Sequence, residues 1–163
     1  MFRETRKCLF GWITVYSDGQ SITRLDMAAD GTNDTTNADD VSRETWEQIN
    51  AYCLGRLMSF TVPLNPEGTP ALKRWLGVMG NIAYGNTATY GEFARMAGSP
   101  AASRAAGSAC ARNPIPLIIP CHRVTRHDGS PGNYGGYREL SPVDPRNLAL
   151  KEALIAHESR HMT

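Results

Sequence analysis

The segment Pro114-Ile115-Pro116-Leu117-Ile118-Ile119-Pro120-Cys121-His122-Arg123-Val124 is the stretch around which the rest of the chain has to fold. Residues 117–119 are a short apolar run that reads as a buried strand, and Pro120 stops it. Cys121 follows at once, then His122 and Arg123, so a thiol stands at the end of a rigidly held strand beside basic groups. Such neighbours favour the thiolate, which is the reactive form of cysteine. The plain alternative is one more small apolar side chain in a core, and Cys-His alone does not decide between them.

The chain is 163 residues long, room for one good core or two small ones. Its 41% hydrophobic and 20% charged content is ordinary for a soluble globular protein, and no apolar run approaches the roughly 18 residues of a membrane span. Residues 1–7 lack an apolar stretch long enough for a signal peptide. The expected location is therefore the cytoplasm, or the nucleus in a eukaryote, with no membrane partner. The four cysteines, Cys8, Cys53, Cys110 and Cys121, show no CxxC spacing. That argues against a disulfide framework or a structural zinc site and for reduced thiols. Net charge is +1 but unevenly placed: residues 1–85 carry eight basic and ten acidic side chains, residues 86–163 nine and six, with all four histidines. The slight basic excess sits in the half that holds Cys121, which suits a polyanion.

In chain order, residues 11–16 and 21–27 flank Asp18-Gly19 and are expected to form a β-hairpin with β-branched and aromatic residues in its arms. Residues 29–42 look like an acidic surface loop. From about Ser42 a helix is expected, with Trp46, Ile49, Cys53 and Leu57 on one apolar face. Residues 60–63 are a candidate short strand and 65–68 a connector. Thr69 then caps a helix with Pro70 at its first position. Leu72, Trp75, Leu76, Met79 and Ile82 make its core-facing stripe, ended by residues 84–86. Two short helices follow, about 90–97, capped by Thr89 and ended by Gly98, and about 100–111. Their spacing is a helix-turn-helix pattern. The second of them is nearly stripped of bulk, so it can approach another backbone closely, and Arg104 stands out on it. The expected fold class is α/β of the α+β kind. A small N-terminal β-sheet domain with a helix would occupy residues 1–65. A mainly helical domain with the helix-turn-helix and an active-site strand would occupy 66–163.

Several segments together resemble the O6-alkylguanine-DNA alkyltransferases, also called methylated-DNA–protein-cysteine methyltransferases. They are Gly68-Thr69-Pro70, Tyr84-Gly85-Asn86-Thr87-Ala88-Thr89-Tyr90-Gly91, Ser103-Arg104-Ala105, Asn113-Pro114-Ile115-Pro116, Pro120-Cys121-His122-Arg123-Val124, Gly132-Asn133-Tyr134-Gly135-Gly136 and residues 150–158. The resemblance covers roughly residues 68–158, and Pro-Cys-His-Arg-Val with Asn-Pro seven residues before its proline is its most specific part. The hairpin and residues 55–64 are more faintly similar to the family's N-terminal domain.

The resemblance implies DNA repair by one irreversible transfer of a methyl or small alkyl group from O6-alkylguanine in duplex DNA to Cys121. O4-alkylthymine is a second candidate lesion. The protein would act as a monomer, without cofactor or metal. His122 matches the histidine that takes the thiol proton through a bridging water, and Glu158 the acid that orients it. Asn113 matches the asparagine that braces the turn before the active site. Tyr90 matches the tyrosine that assists protonation of the departing guanine. Arg104 matches the finger that fills the base stack after the nucleotide is flipped out. Thr89, Tyr90, Ala105, Ala106 and Gly107 would lie on the DNA-docking face. Val124, Tyr134, Gly135, Gly136 and Lys151 would form the substrate pocket. Without the resemblance, Glu158 reads as a solvated charge near a helix end, Lys151 as an exposed helical lysine, and Tyr90 as an ordinary first-turn tyrosine.

Two departures from the family pattern stand out. Residues 137–146 intervene between the glycine pair and Lys151, an apparent insertion of about ten residues in what would be a surface loop beside the pocket wall. No histidine precedes His122, so the ligand set of zinc-binding members is missing. The alternative functions are an alkyltransferase-like protein that binds lesions without repairing them, a cysteine hydrolase and a helix-turn-helix regulator. The first lacks the cysteine found here. The second would need an irregular backbone to pair Cys121 with His122 directly. The third would need a base-reading helix, and residues 101–111 offer little to read with.

Overall fold

The computed structural model describes residues 1–162. Its N-terminal part is an antiparallel sheet of β1 (Phe2–Cys8), β2 (Gly11–Ser17), β3 (Ile22–Ala28) and β4 (Asp34–Asn37), ordered β3-β2-β1-β4. The expected hairpin is β2–β3: Asp18 Oδ1 accepts from the Gln20 and Ser21 amides, and Gly19 takes φ +96°, open to glycine at no steric cost. Ile13 and Val15 of β2 and Leu25 and Met27 of β3 are buried on one face. β1 lies outside the expected elements, because its face carries a buried carboxylate instead of an apolar pattern. Glu4 is fully enclosed and is satisfied by Arg6 Nε and Ser42 Oγ. Residues 34–37 of the expected acidic loop form β4.

Helix α1 (Asp40–Cys53) begins before Ser42 because Asp39 is the cap. Its carboxylate accepts from the Ser42 amide at 2.9 Å and from Ser17 Oγ at 2.8 Å, which ties helix to sheet. The buried stripe runs through Trp46, Ile49 and Tyr52, and the helix stops at Cys53, so Leu57 packs from beyond its end. Residues 60–63 are not a strand. Only an isolated bridge, Ile22 with Leu64, attaches this connector to the sheet.

Helix α2 (Pro70–Met79) has the expected Thr69 cap and buries Leu72, Trp75, Leu76 and Met79. Gly80 ends it, so Ile82 is buried from outside the helix. A two-residue strand, β5 (Ala88–Thr89), leads into α3 (Tyr90–Met96), where Thr89 and Glu92 form a reciprocal capping box. Helix α4 (Ser103–Ala111) packs on α3 and starts three residues later than Pro100, because Ser99 and Ala102 close a turn first. After β6 (Val124–Thr125), which pairs parallel with β5, α5 (Pro145–Arg160) ends the fold. Buried side chains from both halves form one hydrophobic cluster.

The largest correction concerns residues 117–119. They form a compact turn, not a strand, and Cys121 opens a single 3-10 turn, Cys121–Arg123. Three prolines leave this segment few amides to pair with a sheet. Leu117 stands at φ +76°, a left-handed conformation costly for a branched side chain. It is held there by burial and by Asn113, whose amide donates to the Ile119 carbonyl at 2.8 Å and accepts from the Ile115 amide at 3.0 Å.

Candidate active site

Cys121 is 5% exposed and lines a cavity of about 460 Å³. Tyr90 at the start of α3, Arg104, Gly107 and Cys110 of α4, Arg126, and Tyr134-Gly135 of the loop before α5 complete most of its wall. Burial pushes the Cys121 thiol above its ordinary pKa, against a hydrogen bond from Asn113 and the charge of Lys151. The neighbours therefore do not make a standing thiolate, contrary to the expectation from their adjacency in sequence. Both basic neighbours are directed at Glu158 instead. His122 Nε2 lies 2.6 Å from Glu158 Oε2, and Arg123 Nε donates to Glu158 Oε1 at 2.7 Å. A thiol so held needs a base at the moment of reaction.

His122, the next residue, has the chemistry of such a base. It is fully enclosed, and burial lowers its pKa, so the imidazole is neutral. A carboxylate can only accept, so the ring hydrogen sits on Nε2 and the lone pair on Nδ1. Nδ1 is buried with no hydrogen-bond partner among the described residues. Glu158 is itself 1% exposed and far from the solvated charge its place near a helix end suggested. Burial would push its carboxyl up, but His122 and the Arg123 guanidinium outweigh that and hold it at about 2. A further contact comes from outside the sequence-derived site: Tyr52 Oη of α1 donates to Oε2 at 2.6 Å.

The remaining expected residues divide. Tyr90 is half-buried in the cavity wall, and burial together with the Cys110 and Cys121 thiols pushes its phenol to about 12, so it is a proton donor at neutral pH. Arg104 and Ala105 are exposed on α4, and the Gly107 Cα faces the Tyr90 ring. Ala106 is fully buried and packs inward, so it offers nothing to a ligand. The Thr89 side chain is occupied by the α3 cap. Tyr134 and Gly135 line the cavity, whereas Val124, Gly136 and Lys151 do not. A Cβ on Gly136 would stand 2.5 Å from the Tyr134 ring and 2.7 Å from Leu150, so glycine there serves close packing. Lys151 is buried, not exposed: Nζ donates to the Pro131 and Asn133 carbonyls and lies 5.9 Å from the Tyr90 and Tyr134 ring centres. It props the loop behind the cavity. Cys110 was missed as a wall residue, although helical spacing from Arg104 and Gly107 would have placed it on their face.

The insertion is a strap, not a free surface loop. Tyr137 bridges Met27 of β3 and donates from Oη to the Phe10 carbonyl at 2.8 Å, and Arg138 Nη1 reaches Asp26 at 2.7 Å. Glu139 accepts from the Ala29 amide, and the Asn147 side chain holds both ends of the strap. Its other side touches the cavity: Pro142 lines the wall and accepts from the Tyr134 amide at 3.0 Å. Among the described residues, no group of three or more His, Cys, Asp or Glu side chains is placed to hold a metal ion, and no helix is long and apolar enough to cross a membrane.

Comparison with known proteins shows what this chain is similar to. A family model described as 6-O-methylguanine DNA methyltransferase, DNA binding domain, matches residues 71–160. The methylated-DNA–protein-cysteine methyltransferase of Methanosarcina acetivorans is 47% identical over 109 residues, 67% of each chain. That of Methanosarcina mazei is 41% identical over 119 residues, 73% of this chain and 72% of the relative. The crystal structure of Mycobacterium tuberculosis OGT in complex with DNA has a TM-score of 0.83 at 32% identity, covering 99% of this chain and 94% of that one. The O6-methylguanine-DNA methyltransferase of Pyrococcus kodakaraensis, at 19% identity and a TM-score of 0.55, shares the fold.

Glu158→Gln tests the buried network. It leaves Arg123 without its counter-charge and no longer dictates the His122 tautomer. Breaking one partner of a buried ion pair costs about 3–5 kcal/mol, and a loss of that order is expected in the urea-unfolding free energy at pH 7. Because the folded carboxyl sits below its ordinary value, the wild-type advantage is present at neutral pH and fades as pH falls toward about 2.

Proposed function

We propose a reaction for this chain, which belongs to the 6-O-methylguanine DNA methyltransferase family and repairs DNA by alkyl transfer. Its substrate is O6-alkylguanine swung out of duplex DNA, and its acceptor is Cys121 Sγ. The observation that carries this reading is a protonated, enclosed thiol in the wall of a cavity large enough for a base, with a neutral imidazole anchored to an ionised carboxylate next to it in sequence. Sγ attacks the alkyl carbon, the carbon–O6 bond breaks, and a thioether forms. The thiol proton passes to His122 Nδ1 through a bridging water, and Glu158 stabilises the imidazolium so formed. Tyr90, still a phenol at neutral pH, protonates the departing guanine. It regains a proton from solvent as the imidazolium releases the one it took from the thiol, so both groups end as they began. The methyl group ends on sulfur and a proton on guanine. The thioether has no easy route back, so each molecule acts once. O4-alkylthymine, whose alkyl group also sits on a ring oxygen, is a second lesion of the same class.

DNA meets the exposed face of α4. Ala105 and Gly107 let the backbone come close, as minor-groove docking with little sequence readout requires. Flipping a nucleotide costs a few kcal/mol in lost stacking, and the exposed Arg104 guanidinium at the cavity rim can fill the gap. No contact in the reaction calls for a second copy, and the protein acts as a monomer.

Incubation with an O6-methylguanine duplex should raise the intact mass by one methyl group replacing one hydrogen, and peptide mapping should place it on Cys121. Cys121→Ala should abolish the shift while lesion-duplex affinity stays within about threefold, since no phosphate contact is lost. An unmodified wild-type Cys121 with intact binding would instead indicate a lesion-binding protein.

Arg104→Ala separates flipping from chemistry. It should slow transfer from duplex DNA by about tenfold or more, for lost stacking of about 1–3 kcal/mol, and leave reaction with free O6-alkylguanine base nearly unchanged. Equal losses in both assays would remove Arg104 from the flipping role.

A further inference from the structure

Tyr52 lies 69 positions before Cys121, on a helix of the N-terminal half, and its contact joins that half to the proton relay. Its hydroxyl donates at 2.6 Å to Glu158 Oε2, the same oxygen that His122 Nε2 approaches at 2.6 Å. We infer that Tyr52 is a positioning residue for the transfer reaction: its hydroxyl shares the carboxylate oxygen that orients His122, and so governs how readily that histidine takes the thiol proton. The inference rests on the alkyl-transfer reading above and deepens it.

Three observations support the role. Tyr52 is fully enclosed, and burial followed by the Glu158 charge pushes its phenol far up, so it is a donor at every pH at which the protein is folded. Its place is over-determined. The ring packs against Phe10, Phe60 and Tyr84, and the Tyr52 carbonyl is bound by His157 Nε2 at 2.8 Å. Finally, Oε2 is crowded. It also receives Arg123 Nη2 at 3.2 Å, while Oε1 receives Arg123 Nε. Each donor on Oε2 withdraws charge that would otherwise pull a proton onto His122. Removing the Tyr52 hydroxyl therefore makes Glu158 a stronger partner for the imidazolium, and His122 holds its proton to higher pH. The other titratable or charged groups facing this cluster are Cys121 and Arg123 of the 3-10 turn, Tyr84, Tyr134, and Lys151 and His157 of α5. None of them touches Oε2 except Arg123.

Tyr52→Phe removes one oxygen and keeps the ring. The base must be neutral to accept the thiol proton, so the wild-type rate falls as pH drops through the His122 pKa. In Tyr52→Phe this acid limb should move to higher pH. On the plateau the rate should not fall, because His122 is then the stronger base. On the acid limb it should fall by about tenfold, the effect of losing one hydrogen bond to a charged group. Single-turnover transfer from a methylated duplex gives the rate profile, and an NMR titration of the His122 ring gives its pKa whether or not any alkyl group is transferred. Replacing Tyr52 by 3,5-difluorotyrosine, which keeps a donor, should restore the wild-type side of the profile. The inference is overturned if His122 titrates identically in wild type and Tyr52→Phe. It is also overturned if the rate falls equally at all pH values along with the melting temperature, or if the fluorinated residue fails to rescue. Failure of the wild type to transfer a methyl group would sink the alkyl-transfer reading, and the NMR titration would still decide the coupling of Tyr52 to His122.

Discussion

Glu158 is a carboxylate taken out of water, and the site is arranged around keeping it ionised. An unpaired buried carboxylate costs several kcal/mol, so the fold must surround it with donors. Those donors come from distant parts of the chain: Tyr52 from α1, and His122 and Arg123 from the turn after Pro120. Arg123 extends the web by donating from Nη1 to the Ile82 carbonyl at 2.6 Å. One oxygen pair thus fixes the end of α1, the segment after α2, the active-site turn and α5 relative to one another. Charge that is expensive to bury penalises any arrangement that leaves it without these donors.

The turn before Cys121 does the complementary work. A regular strand would have paired its amides with a sheet. Here three prolines and a left-handed Leu117 compress residues 114–120 into a buried knot, clamped by Asn113. The chain leaves it as a single 3-10 turn, so Cys121 can line the cavity while His122 and Arg123 reach Glu158. Strain at Leu117 costs of order 1–3 kcal/mol, and full burial of Leu117 and Ile115 offsets it. The reactive sulfur is held by packing rather than by charge, which is consistent with a thiol that waits protonated until a base is engaged.

Local signals were legible where one residue type has one job. Thr69-Pro70 marked the start of α2, Thr89 and Glu92 the start of α3, and Asp18-Gly19 the hairpin turn. Cys121, His122 and Asn113 lie within ten residues and could be grouped from the motif alone. Glu158 could not: its link to His122 spans 36 positions, and only family resemblance pointed to it. β1 was hidden because its buried face carries Glu4, and the period-2 pattern depends on apolar residues. Residues 117–119 misled in the opposite way, since an apolar run reports burial but not backbone conformation. Tyr52 fell on the apolar stripe of α1, and nothing in that stripe shows that its hydroxyl meets a carboxylate 106 positions away. The strap at 137–146 looked like a surface insertion because its anchors are far away in sequence: Met27 and Asp26 in β3 and Phe10 in the turn between β1 and β2.

The account stands on His122 being a neutral base with its hydrogen on Nε2 and its lone pair on Nδ1. Nitrogen-15 NMR of the His122 ring in the unreacted protein at pH 7 reads this directly. The predicted result is one protonated nitrogen, Nε2, and one unprotonated nitrogen, Nδ1. An imidazolium, or a hydrogen on Nδ1 with Nε2 bare against Glu158, would contradict it.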